Sequence, residues 1–316
     1  MIVGSVIIVT FHSAESIEPC LRALREESGW ERIVVDNDSR DRSAERAQAA
    51  DPGARILRNR ENMGFAAAAN RGALEASGNV LLFLNPDAVA RPGALRALAG
   101  ALQASEAGAA GGQLLRDDGR PDRGFAVRRF PTTLAMAAEI LLLNRLWPGN
   151  PVNRGYRCLD LDYTIAQPVD QPAGACLAVR RDAWDSVGGF DERFFPVWFE
   201  DVDLCLRLRQ RKWNILYCPQ AEFTHSGGHS VNKVPLADRQ LFWYRNLLRY
   251  FRKHKTPAAV AALRVCIAAG MGLRSLAALA GSVPPGVGVG EALRAYGRAL
   301  RECALAGEPA VEAQRR

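Results

Sequence analysis

Val80-Leu81-Leu82-Phe83-Leu84-Asn85-Pro86-Asp87 decides the fold, because an apolar run ends there in two polar side chains. Five consecutive large apolar residues bounded by a turn signal read as a buried strand. Pro86 cannot donate to a central ladder and fixes φ, so Asp87 is expected in a stiff turn at the carboxyl end of that strand. Open α/β sheets bind ligands along that edge. A stiff, exposed carboxylate there suits a divalent cation carrying a phosphate-bearing substrate. In the competing reading Asp87 only caps the helix that comes next.

On either side of this stretch the pattern alternates. Residues 6–10, 32–35 and 55–58 read as strands, and residues 14–27, 43–50, 64–76 and 92–103 as helices. Such alternation predicts an α/β fold, a mostly parallel central sheet with helices on both faces, whose loops gather along one edge. Between about 116 and 170 the periodicity is poorer. Residues 132–147 form an apolar helix candidate, too short and too interrupted by Glu139, Asn144 and Arg145 to span a bilayer. Beyond it, 171–179 reads as a strand, 200–211 as a helix, 213–217 as a strand and 236–254 as a basic, aromatic helix. Residues 257–279 are rich in Ala, Leu, Val and Gly and are interrupted by Arg264 and Arg274. Each central arginine costs about 2.5 kcal/mol on insertion scales, so lying in the interface with the arginines reaching headgroups is cheaper than crossing. A helical extension packed on the rest of the protein fits these residues equally well. After a Pro/Gly break at 282–290, residues 291–306 offer one more helix.

Composition narrows the function classes. A hydrophobic content of 48% is ordinary for a soluble globular chain and too low for a polytopic membrane protein. The seven cysteines are scattered and form no Cys-x-x-Cys pair, which argues against a zinc site and a disulfide framework. No basic n-region precedes the first strand, so a cleaved signal peptide is not expected and a reducing cytoplasm fits best. The net charge of +7 is concentrated late: from Arg245 onward there are twelve Lys/Arg against four Glu. A basic end predicts an anionic partner. After Phe251 only Tyr296 is aromatic, whereas single-stranded nucleic acid is usually held by interleaved stacking rings. A membrane surface is therefore the better match, and no nucleic-acid partner is expected.

Four further segments carry candidate chemistry. Asp36, after the second strand, can accept the imide N–H of a uracil or thymine ring or bond a ribose hydroxyl; Asp38 is left to the turn, with Asp41 and Ser43 as rival helix caps. Asn62-Met63-Gly64-Phe65 starts a helix directly after the third strand. Gly64 lets the backbone approach a ligand, and the helix N-terminus favours a diphosphate, although a plain helix start explains the same residues. Glu200, Asp201 and Asp203 crowd three carboxylates into one helix start, where the macrodipole stabilises negative charge. Capping accounts for one or two of them. A partly desolvated third, beside Trp198 and Phe199, would have the raised pKa of a general base acting on an alcohol. His225 follows a strand and heads a glycine-rich loop. A lone histidine is usually structural, yet imidazole with carboxylate suits manganese, so His225 is paired with Asp87 as a metal-site hypothesis, with His229 as its rival.

Together these segments resemble the inverting, GT-A-type glycosyltransferases of family 2, especially bacterial rhamnosyl- and galactofuranosyl-type enzymes. The matching stretches are Ser5-Val6-Ile7-Ile8-Val9-Thr10, Val35-Asp36-Asn37-Asp38-Ser39, Asn62-Met63-Gly64-Phe65 with Asn70, and Leu84-Asn85-Pro86-Asp87-Ala88. They continue with Gln171-Pro172-Ala173-Gly174-Ala175, Gly188-Gly189-Phe190-Asp191-Glu192-Arg193-Phe194-Phe195 and Glu200-Asp201-Val202-Asp203-Leu204-Cys205. The likeness runs from residue 5 to about 254 and is carried by the order and spacing of the motifs rather than by any one.

The resemblance implies a GT-A domain over 1–255, with a nucleotide-binding half at 1–115 and an acceptor and catalytic half at 116–255, followed by a helical, basic extension at 256–316. It implies a nucleotide-sugar donor, dTDP-rhamnose or a UDP-hexose, bound by Thr10, Asp36, Asn62, Gly64, Asn85 and Asp87. Asp87 matches the metal-ligating acid of the family's Asp-x-Asp motif, whose first position here is Asn85, one negative charge fewer. His225 matches a histidine that completes the site for a divalent metal, Mn2+ or Mg2+. Asp201 falls where the family places its catalytic base, with Glu200 beside it. The family commonly has Asn where His12 stands. No Gln-x-x-Arg-Trp motif of the processive synthases is present, so single-sugar transfer is expected over polymer extrusion. The acceptor implied is a glycan or a polyprenyl-diphosphate-linked one, in cell-envelope polysaccharide synthesis. The expected location is cytoplasmic, with peripheral contact at the inner face of the membrane left open. Two rivals remain. A non-catalytic membrane- or nucleic-acid-binding protein on the same scaffold would have lost the acids. A nucleotidyltransferase would open with a Gly-rich basic loop, which Thr10-Phe11-His12-Ser13-Ala14-Glu15 is not.

Overall fold

The computed structural model describes residues 3–104, 106–227 and 234–306 of the 316. The chain divides into two compact units: Met1–Phe130 with Arg157–Glu192 and Glu200–Ser230, and Pro131–Tyr156 with Arg193–Phe199 and Val231–Arg316.

The first unit is the α/β body. Its strands are β1 (Gly4–Thr10), β2 (Trp30–Asp36), β3 (Arg55–Arg58), β4 (Val80–Leu84), β5 (Ala88–Ala90), β6 (Ala107–Leu115), β7 (Val127–Arg128), β8 (Gln167–Pro168), β9 (Gln171–Pro172), β10 (Cys176–Arg180) and β11 (Asn214–His225). The helices α1 (Ile17–Arg25), α2 (Ser43–Ala50), α3 (Phe65–Leu74) and α4 (Ala94–Gln103) come early, and α8 (Arg181–Val187) and α9 (Glu200–Gln210) later. Each early helix comes after a strand and covers the sheet with one stripe. In α1 the buried residues are Ile17, Cys20, Leu21 and Leu24, the i, i+3, i+4, i+7 face that an amphipathic helix turns inward.

The main sheet runs in the order β3-β2-β1-β4-β10-β6-β11-β5. β1 to β4 are mutually parallel, and β11 is parallel to β6; β10 lies antiparallel between β4 and β6, and β5 runs antiparallel to β11. The result is the expected mostly parallel sheet with helices on both faces. Strand order reverses between β1 and β4, the position where such sheets open a ligand crevice at their carboxyl ends. Val6, Ile8, Ile33, Val34, Leu81, Leu82, Leu177 and Val179 are among the fully buried residues that close the core beneath that edge.

Three local expectations are corrected. β6 has no counterpart among the expected strands, because Ala107-Gly108-Ala109-Ala110-Gly111-Gly112 carries no β-branched or aromatic residue. Its neighbours supply the bulk instead: a Cβ on Gly111 would sit 2.2 Å from the Pro172 ring, and one on Gly108 2.8 Å from Trp213. The strand expected over 171–179 is split into β9 and β10 by Ala173-Gly174-Ala175. The strand expected over 213–217 continues to His225 through a register shift between Cys218 and Glu222.

The second unit is helical: α5 (Thr133–Ile140), α6 (Leu143–Leu146), α7 (Pro151–Tyr156), α10 (Leu236–His254), α11 (Pro257–Leu279) and α12 (Val289–Ala299), with a π-helical turn at Leu300–Leu305. The apolar helix expected over 132–147 breaks at Leu142, whose φ is 65°. α11 is long and apolar enough to cross a membrane. Its two arginines do not reach outward as expected: Arg264 donates to the carbonyls of Ala304 at 2.9 Å and Ala306 at 2.8 Å, and Arg274 to Ile140 at 2.5 Å. With both turned inward, the exposed stripe of Val265, Leu273, Leu276 and Leu279 carries no charge.

Candidate active site

Every residue singled out as a site candidate from the sequence lies in the first unit, and the strand ends bring them to one edge. Only His229 lies outside the described residues.

At the β1–β2 end, Thr10 and Asp36 are register partners, and the Thr10 hydroxyl donates to Asp36 Oδ1 at 3.0 Å. The capping work that rivalled a ligand role for Asp36 is done elsewhere. Asp41 accepts from the Ala14 N–H at 3.0 Å, from the Ser43 N–H at 3.2 Å and from the Ser43 hydroxyl at 2.5 Å. Asp38 takes the turn, with φ at 67°. Asp36, 5% exposed, has no hydrogen-bond partner on Oδ2 among the described residues, which leaves that oxygen for a ligand donor.

Next to it stands an asparagine cluster. Asn37 Nδ2 donates to Asn62 Oδ1 at 2.8 Å, and Asn37 Oδ1 accepts from Asn59 Nδ2 at 2.8 Å and from the Met63 N–H at 3.0 Å. Gly64 donates its N–H to Asn62 Oδ1 at 2.9 Å and turns into α3 at φ 80°, a conformation that glycine adopts without penalty. Asn62 and Gly64 are thus held as one rigid turn by Asn37, a hub whose role no local sequence pattern discloses.

The Asn85–Asp87 turn is as stiff as Pro86 implied. The Ala88 N–H donates to the Asn85 carbonyl at 3.1 Å, closing a β-turn with Pro86 and Asp87 at its corner. The next element is β5, not a helix, so helix capping does not account for Asp87. β5 pairs with β11 so that Ala88 faces His225, which brings His225 Nε2 to 3.4 Å from Asp87 Oδ1. That contact does not meet hydrogen-bond geometry, and both ring nitrogens of the buried His225 lack a hydrogen-bond partner among the described residues. The imidazole lies nearly parallel to the Phe125 ring, 5.3 Å between centroids and 12° apart. A buried carboxylate beside an unsatisfied imidazole is a donor pair that fits a divalent cation completed by phosphate oxygens and water. No cluster of three or more His, Cys, Asp or Glu is found among the described residues, so such an ion would take the remainder of its shell from the substrate.

Asp201 opens α9. Its Oδ2 accepts from the Gly174 N–H at 2.8 Å and its Oδ1 from the Val202 N–H at 2.8 Å, while Gln171 Nε2 lies 3.4 Å from Oδ2. The segment between β9 and β10 ties this acid to the end of β4, because Ala175 also accepts the Asn85 N–H at 3.0 Å. Gly174 approaches the acid closely: a Cβ there would stand 3.0 Å from Asp201 Oδ2, which would have to give by a few tenths of an ångström. Burial raises the Asp201 carboxyl above its ordinary value, even against the two N–H bonds and the positive charge of Arg128. Part of its surface stays open. Glu200 is buried at 5% exposure, with Oε2 unpartnered among the described residues. Burial, with the charge of Asp201 second, pushes its carboxyl well above the usual range. Asp203 is structural: it is fully buried and paired with Arg207 at 2.7 Å, and Arg207 also reaches the carbonyls of Val187 and Gly189. Of three carboxylates, then, one is an ion-pair anchor, one is buried with an unpartnered oxygen, and one is hydrogen-bonded with an open face. Gly174, Gln171 and Arg128 join the site without having been expected there. Their only signal in the sequence was the Gln-Pro-Ala-Gly-Ala stretch and a basic pair before an apolar segment.

The family model described as Glycosyl transferase family 2 matches residues 5–165. An N-acetylglucosaminyl-diphospho-decaprenol L-rhamnosyltransferase of Mycobacterium tuberculosis is 32% identical over 274 residues, 78% of this chain and 87% of that protein. The rhamnosyltransferase WbbL of Escherichia coli is 27% identical over 154 residues, 49% of this chain and 54% of WbbL. Among solved structures, the mannosyltransferase PcManGT of Pyrobaculum calidifontis, in complex with GDP-Man and Mn2+, superposes with a TM-score of 0.52 at 18% identity, covering 98% of this chain and 77% of that one.

Proposed function

The chain belongs to glycosyl transferase family 2, and on that footing we propose that it transfers a single sugar, with inversion, from dTDP-rhamnose or a UDP-hexose to a hydroxyl of a glycan or lipid-linked acceptor in cell-envelope polysaccharide synthesis. The observation that carries this reading is Asp201, a carboxylate held by two backbone N–H groups, raised by burial and still open on one side.

In the proposed mechanism Asp36 Oδ2 takes a donor group of the nucleoside, and the Asn62–Gly64 turn and Asn85 line the donor's path. Asp201 accepts the proton of the acceptor hydroxyl as the oxygen attacks the anomeric carbon. Attack comes from the face opposite the diphosphate, the carbon–phosphate-oxygen bond breaks as the new bond forms, and one displacement inverts the centre. Asp87 and His225 would hold a divalent ion, Mn2+ or Mg2+, which when bound supplies positive charge to the leaving diphosphate. Glu200, whose carboxyl is pushed well above its ordinary range by burial and by the charge of Asp201, stands beside the base. The uncharged stripe of α11 and the basic end of α10 (Arg252, Lys253, Lys255) support peripheral contact with an anionic membrane face. The proposed location is the cytoplasm at that surface.

The test is calorimetric titration of dTDP, UDP, GDP and their sugars with and without Mn2+. Metal-dependent binding of dTDP or UDP that is lost in Asp87→Ala is the expected result. Asp201→Asn should keep that binding and lose about 10²–10⁴-fold in turnover. A folded protein that binds no nucleotide at all would sink the reading.

A further inference from the structure

His225 lacks the usual means of fixing a ligand ring. A metal-bound histidine ordinarily gives its second ring nitrogen to a carboxylate, a carbonyl or water, and that bond sets the plane of the imidazole. In this chain both His225 nitrogens are buried without a hydrogen-bond partner among the described residues. The contact with Asp87 Oδ1, 3.4 Å from Nε2, is to the other proposed ligand and not to a support behind the ring. Pairing of His225 with Ala88 across β11 and β5 fixes the backbone and leaves the ring torsion open. That torsion, between a tetrahedral and a planar carbon, is intrinsically broad, so packing has to choose its value.

The packing that does so is aromatic. The Phe125 ring lies 5.3 Å from the imidazole, centroid to centroid, with 12° between the planes, an offset stack at an attractive separation. Phe125 is itself held from two sides. Its N–H donates to the Asp122 carbonyl at 3.2 Å, the Ala126 N–H to the same carbonyl at 3.0 Å, and the Gly124 N–H to the Tyr163 hydroxyl at 3.4 Å. Arg128 then lays its guanidinium 5.6 Å from the Phe125 ring centroid, with Nε tied to the Gly124 carbonyl at 3.0 Å. A cation over an aromatic face is attracted by the ring quadrupole. Among the described residues Arg128 makes no ion pair that would draw it off the ring, whereas Arg129 beside it turns to Asp160 at 3.0 Å. All of these residues belong to the first unit.

We propose that Phe125 is a positioning residue of the metal pair: its ring, pinned by the turn at 122–126 and by Arg128, sets the plane of the His225 imidazole where no hydrogen bond does, and so presents a ring nitrogen to an ion shared with Asp87. The inference rests on the reading of Asp87 and His225 as ligands of a divalent ion. A flat ring admits one orientation of the imidazole stacked on it. An aliphatic side chain of similar bulk fills the same space and lets the imidazole turn, so ion affinity depends on the aromatic ring and not on volume.

The test is Mn2+ binding to the full chain, followed by the paramagnetic resonance of the free ion with dTDP or UDP present, which needs no turnover. Phe125→Leu should weaken Mn2+ about tenfold or more, the loss that removing the support of a ligand typically brings. Phe125→Tyr, which keeps the ring, should bind as wild type does, and His225→Ala marks the loss of the ligand itself. Urea midpoints show that each variant is folded. Proton resonances of the four histidine rings, recorded without metal, give a second readout on wild type. The His225 signals, identified by their absence in His225→Ala, should move in Phe125→Leu and stay in Phe125→Tyr. Equal Mn2+ affinity in wild type and Phe125→Leu, with His225→Ala weakened, overturns the role of Phe125 and leaves the metal pair standing. So does Phe125→Tyr binding as weakly as Phe125→Leu, or a His225 signal that Phe125→Leu does not move. Equal affinity in wild type and His225→Ala, or no Mn2+ bound by wild type, removes the metal pair and the proposal with it.

Discussion

Asp201 and Glu200 are sequence neighbours with opposite fates. Asp201 finds two N–H donors and an opening; Glu200 finds neither for its Oε2. The difference follows from the helix start, where only one side chain can turn back onto the Gly174 N–H. Gly174→Ala is predicted to push the carboxylate aside, since the new Cβ would stand 3.0 Å from Oδ2. Turnover should fall by about 10²-fold with donor affinity intact, because small misplacements of a catalytic group carry that cost; unchanged kinetics would show that the new methyl does not displace the carboxylate from a working position. Glu200 makes a prediction of opposite kind. Its folded-state pKa is raised above the ordinary 4.5, so the folded chain keeps a proton that the unfolded chain releases. The contribution is complete below pH 4.5 and is lost as pH rises toward the folded value. Urea midpoints of wild type minus those of Glu200→Gln should therefore decline with rising pH across that window. A flat difference would mean that Glu200 is ionised in the folded protein.

Among the elements, the turn after β4 and the start of α9 do the positioning, and each is held from beneath. The turn is pinned by β5 pairing with β11 and by the Asn85 N–H on Ala175. The start of α9 is anchored by Asp203 and Arg207, a buried pair whose guanidinium also satisfies two carbonyls. Removing the cation alone leaves Asp203 buried and uncompensated, so Arg207→Ala should cost about 3–5 kcal/mol in chemical denaturation. A loss under about 1 kcal/mol would show that the pair is as weak as an exposed one. Elements with a clear period were legible from sequence: β3, β4, α2, α10 and α11 fall where alternation or amphipathicity placed them. β6 was not, because a strand of Ala and Gly has no period to read, and its burial comes from Pro172, Trp213 and Phe223 elsewhere in the chain. β5 was not legible either. Three residues after a proline turn become a strand only when β11 extends far enough to pair with them.

At the scale of the whole molecule, the two units divide the chemistry. One carries the donor and base candidates at the edge of the sheet, and the other carries a basic helical surface with an uncharged stripe. Burying that stripe in the headgroup region needs no charged side chain to be dehydrated, because Arg264 and Arg274 are already bonded to carbonyls. The full chain is predicted to float with vesicles of anionic lipid, less so in high salt. Replacing Leu276 and Leu279 together by Glu should abolish flotation without altering nucleotide binding. Flotation that survives both changes would rule out the stripe as the membrane face, and a concentration-dependent dimer lost in the same variant would point to a second copy instead.

The family was legible in the sequence only as a resemblance in the order and spacing of its motifs. By itself the sequence determined the class of fold and which residues stand at strand ends, because periodicity and turn chemistry are local and depend on neighbours a few positions away. Asp36, Asp87 and Asp201 were all visible for that reason. Tertiary structure decided which of several similar residues is occupied and which is left over. Asp41 rather than Asp36 caps, Asp203 rather than Asp201 is paired, and Arg264 and Arg274 face carbonyls from other elements rather than headgroups. Apart from the Asp203–Arg207 pair, which is i, i+4 on one helix, those outcomes involve partners tens of residues away, from 27 between Ala14 and Asp41 to 134 between Ile140 and Arg274. A hydrogen bond or ion pair across such separations is set by packing, which no local pattern encodes.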